Sequence, residues 1–420
     1  MIEKHRSTTV RQLAHARIVH FLIRSLVGTM YRIGRLFRFL LGRRIIGDSE
    51  RIEVLLTGAF HCEEWIMAFM RPLVAAGRCK NVVLVTTFPV TEVPGLTVIY
   101  PPDWMRHIAG EAPARLVMFA WQALRRQPQL VGGFHISINA LFAELVASLV
   151  GARSIYFCVG GPMEILDGGL WGESKTFGKL RQADKVVEEK ILRSVREFDF
   201  VVSMGSKAAD WFIDHGINPD RIRSMTGAID TSRFSAPKSW RPVDLIFVGR
   251  LVPIKDLPLL LETVRTLVDL GRLVRLRIIG RGLLEEEVRQ RIAELRLGDH
   301  VELAGFVPDV IAELKRAKCF VLTSKSEGVS LALIEAMLAG AVPIVADVGD
   351  LADLVTNGEN GYRVDSRDPA NFANCINDLI ADAGILSAQS EAAYNTGLRY
   401  GIDNVAEKWN TLLSDIPDRQ

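Results

Sequence analysis

Nowhere in the 420-residue chain is there a run of 18 or more uncharged apolar residues, so no segment reads as a membrane-spanning helix. Arginines interrupt every apolar stretch near the N-terminus, which argues against a secretory signal peptide. Cysteine is scarce and scattered: Cys62, Cys79, Cys158, Cys319 and Cys375 form no C-x-x-C pair. That spacing excludes a disulfide framework and a zinc site and suits a reducing compartment. His61 and Cys62 are adjacent, but no third ligand is spaced to join them. Acidic residues are nearly missing from one region. Residues 1–48 hold ten Lys and Arg against Glu3 and Asp48, while the other 372 residues hold 41 basic and 47 acidic side chains. A formal net charge of +2 therefore hides a basic arm, a composition suited to meeting something anionic.

What is present is alternation. From residue 50 the segments "RIEVLLTG", "NVVLVTTF", "PQLVGGFH", "RSIYFCVGG" and "FDFVVSMG" read as strands, with helical stretches between them. "INALFAELVASLVG" is amphipathic and closes on Gly151, a residue type that ends helices well, and 178–197 reads as a further helix. Residues 225–242, "MTGAIDTSRFSAPKSWRP", are rich in turn formers and read as a linker. A second series follows: "VDLIFVG", "VRLRIIG", "VELAGF", "CFVLTS", "AVPIVAD" and "GYRV". Apolar strands alternating with helices imply parallel sheets covered on both faces. The chain is therefore expected to be α/β, with two Rossmann-like doubly wound domains and a cleft between them. The expected boundaries are a helical arm at 1–48, domains at 49–235 and 236–395, and a helix at 396–420 packing back on the first domain. In such sheets ligands sit at the carboxyl ends of strands, so chemistry is sought in the βα loops.

The loop after "CFVLTS" opens "SEGVSLALIEAMLAG", with Glu327 before a helix and Glu335 inside it. Ser330 is a suitable N-cap, and the first N–H groups of that helix make an anion site. A phosphate there leaves both carboxylates for hydroxyl partners. Taken alone, the pair also fits a solvated loop and a helix surface. "FVGRLVPIKD" supplies Arg250 and Lys255 from the first βα loop of the second domain; these are cations for phosphate oxygens, or else two exposed loop side chains. "IIGRGLLEEE" begins like a dinucleotide fingerprint through Gly280 and Gly282, but Glu285 holds the third glycine's place, which excludes a nicotinamide site.

Residues 243–365, from "FVGRLVPIKDLPLLLETV" through "LTSKSEGVSLALIEAMLAGAVPIVAD" to "GYRV", together resemble the donor-binding domain of retaining GT-B glycosyltransferases, glycosyltransferase family 4. The resemblance is fair over 130–242. It implies that Gly249, Arg250 and Lys255 hold a nucleoside diphosphate, that Glu327 meets the donor sugar and Glu335 the ribose, and that the backbone at Ser330 and Leu331 receives the distal phosphate. It gives His135 a place facing the donor sugar and Gly58 one near the donor. In "CVGGPMEILDGG", Gly160 and Gly161 permit close backbone approach, and Glu164 is placed against an acceptor hydroxyl. Two departures stand out: Asp256 follows Lys255 where the family often has Gly, and Val329-Ser330 replaces its usual Phe-Gly.

The expected activity is transfer of a sugar from a nucleoside diphosphate to an acceptor hydroxyl with retention of configuration. No cofactor is expected, and no metal, since no Asp-x-Asp sits in a suitable loop. A non-catalytic nucleotide-sugar binder serving a membrane glycosylation complex and a GT-B epimerase are the alternatives. The basic arm completes the picture. On a helix at about 100° per residue, Ile18, Leu22, Leu26, Met30, Ile33, Leu36, Phe37 and Leu40 share an arc about 120° wide. Arg17, Arg24, Arg32, Arg35, Arg38 and Arg43 lie outside it. Residues 11–46 are therefore expected either to lie on an anionic membrane surface or to pack this apolar arc on the protein's own first domain or a partner chain. The membrane reading fits a lipid-linked or polysaccharide acceptor and a peripheral enzyme on the inner face of the cytoplasmic membrane. No nucleic-acid partner is expected.

Overall fold

The computed structural model describes residues 2–43, 51–60, 62–166, 184–237 and 241–416, with side chains from Ile18 onward. His61 and the start of the 178–197 segment lie outside the described residues. Contacts divide the chain into a first unit, Met1–Thr226 with Val405–Gln420, and a second, Gly227–Asn404. Most of the expected linker belongs to the second unit. Phe234 is buried there, and buried Arg241 donates to the carbonyls of Ala317 and Ala339.

In the first unit seven parallel strands form one sheet: β1 (Ile52–Thr57), β2 (Cys79–Val85), β3 (Leu96–Ile99), β4 (Leu130–Phe134), β5 (Arg153–Cys158), β6 (Phe200–Ser203) and β7 (Ile222–Ser224). Their order is β3-β2-β1-β4-β5-β6-β7. The middle strands are buried on both faces, as their continuous apolar runs require. β3 and β7 are four and three residues long, too short to stand out as apolar runs. Gly151 ends helix Leu141–Val150 in the left-handed conformation at φ 68°.

The second unit has six parallel strands: β8 (Val243–Val248), β9 (Leu276–Ile279), β10 (Val301–Gly305), β11 (Ala317–Leu322), β12 (Val342–Ala346) and β13 (Tyr362–Val364), in the order β10-β9-β8-β11-β12-β13. In each sheet the chain starts near the middle, runs to one edge, then returns and runs to the other. The reversal lies between β1 and β4 in one unit and between β8 and β11 in the other. At such a reversal adjacent crossover helices fall on opposite faces, leaving a crevice at the strands' carboxyl ends.

The N-terminal segment is one helix, Ile2–Leu41. It packs on helices Leu141–Val150 and Lys185–Val195, but of the expected arc only Met30 packs against the core there. Ile23 and Val27 enter the core beside Leu141, Ile165, Val187 and Ile191. Gly34 lies where an added Cβ would sit 3.9 Å from the backbone of Leu145, so the helices approach closely there. The arginines expected for lipid headgroups are partly committed to protein. Arg24 donates twice to Asp184, at 2.9 and 3.0 Å. Arg38 pairs with Glu144 and Glu197, and Arg43 with Asp199. Ile18, Leu22, Leu26, Ile33, Leu36 and Leu40 instead remain exposed. Packing of the whole arc on the first domain is thus corrected: the helix packs on its own unit mainly through a neighbouring face bearing Ile23 and Val27.

Ile23→Ala is expected to lower the stability of the first unit by about 2–5 kcal/mol, because it opens a cavity in a closed core. Ile18→Ala, on the exposed arc, should shift it by no more than about 0.5 kcal/mol. Denaturant unfolding of the two variants checks this, and equal effects would contradict the packing face described.

Candidate active site

The second unit's site is built where β8 and β11 lie side by side. The loop after β8 carries Gly249, Arg250 and, on a short 3-10 turn, Lys255. The loop after β11 carries Glu327. Lys255 Nζ donates to Glu327 Oε1 at 2.6 Å, and both side chains are largely covered, 16% and 10% exposed. Three contacts fix the two loops to each other. Lys325 N donates to the carbonyl of Ile254 at 2.8 Å, and Thr323 Oγ1 reaches the carbonyls of Lys255 and Asp256. Asp256 stands at φ 47°, a backbone position that favours glycine. Its carboxylate pairs with Arg367, which also donates to the carbonyls of Thr323 and Ser324. The departure from Lys-Gly is therefore compensated by an ion pair that ties a third loop to the site.

Ser330 is the N-cap of helix Leu331–Leu338, its Oγ accepting from Leu333 N at 3.4 Å. The amides at the start of this helix open beside Glu327, and Glu335, partly exposed, lies one turn in. Arg250 is exposed at the edge of β8. The structure thus brings Lys255 and Glu327 into contact and sets Gly249, Arg250, Ser330, Leu331 and Glu335 on the same two βα connections.

Glycines set how tightly these loops meet. A Cβ on Gly280 would lie 1.9 Å from the carbonyl oxygen of Gly249, and one on Gly282 2.3 Å from that of Leu251. The aborted dinucleotide fingerprint is thus a packing device that lets the loop after β9 rest on the loop of Arg250 and Lys255. Gly349, after β12, performs the same service for Glu327. Its φ is +54°, and a Cβ there would fall 1.7 Å from the Glu327 carbonyl oxygen. Sequence reasoning passed over Gly349, Thr323 and Arg367; a glycine in the βα loop after β12 was the one available signal.

In the first unit the reversal between β1 and β4 places Gly58 and His135. Gly58 is buried, and a Cβ there would meet Phe60 at 2.6 Å and Phe134 at 2.9 Å. Aromatic packing therefore suffices to explain it as a glycine. His135 ends β4 at φ 63°, a strained position for a non-glycine residue. Trp65 stacks on its ring with centroids 6.1 Å apart. Glu164 differs from expectation: it is not offered to an acceptor. Its Oε1 accepts from His135 Nδ1 at 3.0 Å and Gly160 N at 2.6 Å, and its Oε2 from Ile136 N at 3.0 Å and Tyr156 OH at 2.9 Å. A carboxylate with four donors orients the histidine, with Nδ1 protonated and Nε2 as the remaining ring nitrogen. Gly160 and Gly161 shape this nest; Gly161 needs its φ of +69°. Burial alone would raise the Glu164 pKa, but His135 and the backbone amides outweigh it and hold the carboxyl below its usual value. Among the described residues no group of three or more His, Cys, Asp or Glu is arranged to hold a metal ion.

Residues 228–396 match the family model described as "Glycosyl transferases group 1". The chain is 31% identical over 214 residues to a D-inositol 3-phosphate glycosyltransferase of Acidothermus cellulolyticus, covering 46% of this chain and 48% of that one. It is 27% identical over 184 residues to a poly(ribitol-phosphate) alpha-N-acetylglucosaminyltransferase of Staphylococcus aureus, covering 43% and 37%. The chain thus spans about half or less of the length of these curated relatives. Among solved structures it is similar to Anabaena HepE, crystallised with UDP and glucose, at a TM-score of 0.66 and 16% identity, covering 86% of this chain and 99% of that one. It is also similar to a sucrose-phosphate synthase from Thermosynechococcus elongatus, at 0.67 and 16%, covering 86% and 98%. These likenesses show the fold, two Rossmann-like parallel-sheet domains of the GT-B kind.

Glu164→Gln is expected to destabilise the first unit by about 3–5 kcal/mol at neutral pH, because it leaves buried donors facing an amide. The sign follows from the depressed pKa. The carboxylate's contribution is fully present above its unfolded pKa of about 4.3 and is lost as pH falls through the lower folded value. Denaturant unfolding at pH 7 and in acid checks this: the gap between wild type and variant should narrow in acid, and a constant gap would contradict a charged Glu164.

Proposed function

We propose that this chain is a retaining glycosyltransferase that moves a sugar from a nucleoside diphosphate to an acceptor hydroxyl without a bound metal. The observation that carries the reading is the Lys255–Glu327 pair at the strand reversal of the second sheet, beside the capped helix at Ser330. The match of 228–396 to group 1 glycosyltransferases and the UDP-containing structures similar to this fold support it.

In this reading Arg250 and Lys255 take the diphosphate, and the amides at Ser330 and Leu331 receive its distal phosphate at the positive end of the helix. Gly249 lets the chain pass close to it. Glu335 holds the ribose hydroxyls and Glu327 the sugar. As the bond to the sugar lengthens, negative charge grows on the leaving phosphate. Preset cations and amides stabilise that charge with little reorganisation, which is the task a metal performs elsewhere. The acceptor attacks from the face the diphosphate leaves, and the departing oxygen takes the acceptor's proton. His135, held by Glu164, offers its Nε2 as a hydrogen-bonding group at the strand reversal of the first sheet. The acceptor is a lipid-linked or polysaccharide precursor, handled at the cytoplasmic face of the membrane.

Arg250→Ala and Lys255→Ala should each weaken nucleoside diphosphate binding about ten- to a hundredfold, the loss of one charge-assisted contact of about 1.5–3 kcal/mol. Titration calorimetry with UDP first, then the other nucleoside diphosphates, checks this. Unchanged affinity in both variants removes the donor-site assignment.

The two glutamates should separate. Glu327→Ala is expected to abolish transfer yet bind bare nucleotide at least as well as wild type, because Lys255 is then released to the phosphates. Glu335→Ala should weaken the nucleotide itself. If Glu335→Ala binds UDP like wild type, the ribose role is wrong. NMR of the anomeric proton in the product tests retention.

A further inference from the structure

The first unit carries a second exposed apolar surface, one that the basic arm did not announce. Helix Glu111–Arg126 buries Phe119 and Ala123 but also two polar side chains, and leaves three large apolar ones outside. Arg115 and Gln122 face inward, with Arg115 bound to Thr57 Oγ1 at 2.7 Å and Asn139 Oδ1 at 2.8 Å. Val117, Trp121 and Leu124 face outward, each about half exposed. The preceding helix, Asp103–Ala109, adds Trp104 at 63% and Ile108 at 80% exposure.

This patch and the stripe on the N-terminal helix lie on the same side of the sheet, and strand register shows it. Val83, Leu55 and Val131 are paired neighbours across β2, β1 and β4. Val131 pairs with Ser154, two residues before Tyr156, and Tyr156 pairs with Val201. In parallel strands these side chains share one face. Phe119 and Ala123 of helix Glu111–Arg126 pack on that face at Leu55, Val83 and Val131. Ile191 of helix Lys185–Val195 packs on it with Tyr156 and Val201, and Leu141–Val150 contributes to both clusters. The N-terminal helix lies outside these last two helices. Its exposed stripe and the tryptophan patch therefore both point away from the same sheet face.

We propose that this side of the first unit is a bilayer-binding face, with Trp104, Ile108, Val117, Trp121 and Leu124 forming one insertion patch and Ile18, Leu22, Leu26, Ile33, Leu36 and Leu40 the other. Charge complementarity names the occupant. The N-terminal helix has no acidic residue after Glu3; Arg32 stands exposed beside its stripe, and Arg35, also exposed, lies 3.8 Å from Glu197. Around the second patch Arg125 is exposed, Asp103 is paired with Arg106, and exposed Glu111 stands three residues after Ile108. Anionic headgroups fit such a rim. A second copy of this chain would set one basic stripe, without acidic residues of its own, against another. Tryptophan beside short aliphatics suits the headgroup–acyl boundary, where the ring's apolar body and its N–H are both accommodated. The stripe from Ile18 to Leu40 runs about 33 Å at 1.5 Å per residue, a span for a lipid plane rather than a single pocket. With Arg24, Arg38 and Arg43 bound to the protein, insertion of apolar side chains carries more of the binding than arginine charge does.

This face rests on, and gives a place to, the lipid-borne acceptor of the proposed function. The test is flotation of the full chain with vesicles of phosphatidylcholine alone and of phosphatidylcholine with phosphatidylglycerol, at low and high salt. Wild type should float with anionic vesicles and retain most of that binding in high salt. Trp104→Ser/Trp121→Ser and Leu22→Ser/Leu36→Ser should each weaken partitioning about tenfold or more while UDP affinity and thermal unfolding stay as in wild type. Wild-type partitioning by the tryptophan pair variant would remove that patch from the face. Failure of wild type to float, with a concentration-dependent dimer in light scattering that these substitutions abolish, would make the face a self-association surface and overturn the proposal. Loss of UDP binding by wild type with flotation intact would instead sink the donor-site reading and leave this face standing.

Discussion

The contact between Lys255 and Glu327 is the constraint on which the second unit's loops depend. A lysine and a glutamate so thoroughly covered tolerate little error in position, because an unmatched charge there would cost several kcal/mol. The pair is met by backbone design. Thr323 and Lys325 lock the end of β11 to the turn bearing Lys255, and Gly280, Gly282 and Gly349 remove every side chain that would hold the loops apart. Fold and site are thus one problem. The strand reversal brings the two connections together, and the glycines let them close to hydrogen-bonding distance.

The first unit uses the same reversal differently. Its loop after β1 collapses onto aromatic rings, and its loop after β4 ends in a strained histidine held by a buried carboxylate. The strain at His135 persists because Glu164 collects four donors, among them the amide of Ile136 next to the histidine and that of Gly160 after β5. A residue held in an unfavourable conformation by so complete a network is oriented, not merely accommodated.

Much of this was legible because its signals are local. The six strands of the second sheet stand out as apolar runs closed by turn residues, and Ser330 precedes a helix as a cap should. Glu327 could be singled out as the carboxylate in the loop before that helix, and the structure sets it against Lys255. What escaped were relations between distant segments. Glu164 reads as a loop acid until His135, 29 residues away, is placed beside it. Gly349 becomes informative only against the Glu327 carbonyl. The face by which the N-terminal helix packs escaped for a similar reason. Periodicity located its widest apolar arc, but the buried face was chosen by Asp184, Glu144 and Glu197, which reward a narrower strip bearing Ile23, Val27 and three arginines. β3 and β7 were missed because they are edge-side strands too short for any pattern to declare them.

That helix also sets the order of events during synthesis. Arg24 waits for Asp184, 160 positions later, and Arg38 for Glu144 and Glu197. At about 5–20 residues per second, the ribosome leaves the first helix without its cover for roughly ten to thirty seconds. During that interval both the strip bound for the core and the stripe that stays outside are open to water, and the basic side chains that later meet carboxylates are still uncommitted. This helix is therefore more apolar and more cationic in its exposed surface during synthesis than in the finished protein, until the segments that cover it have followed.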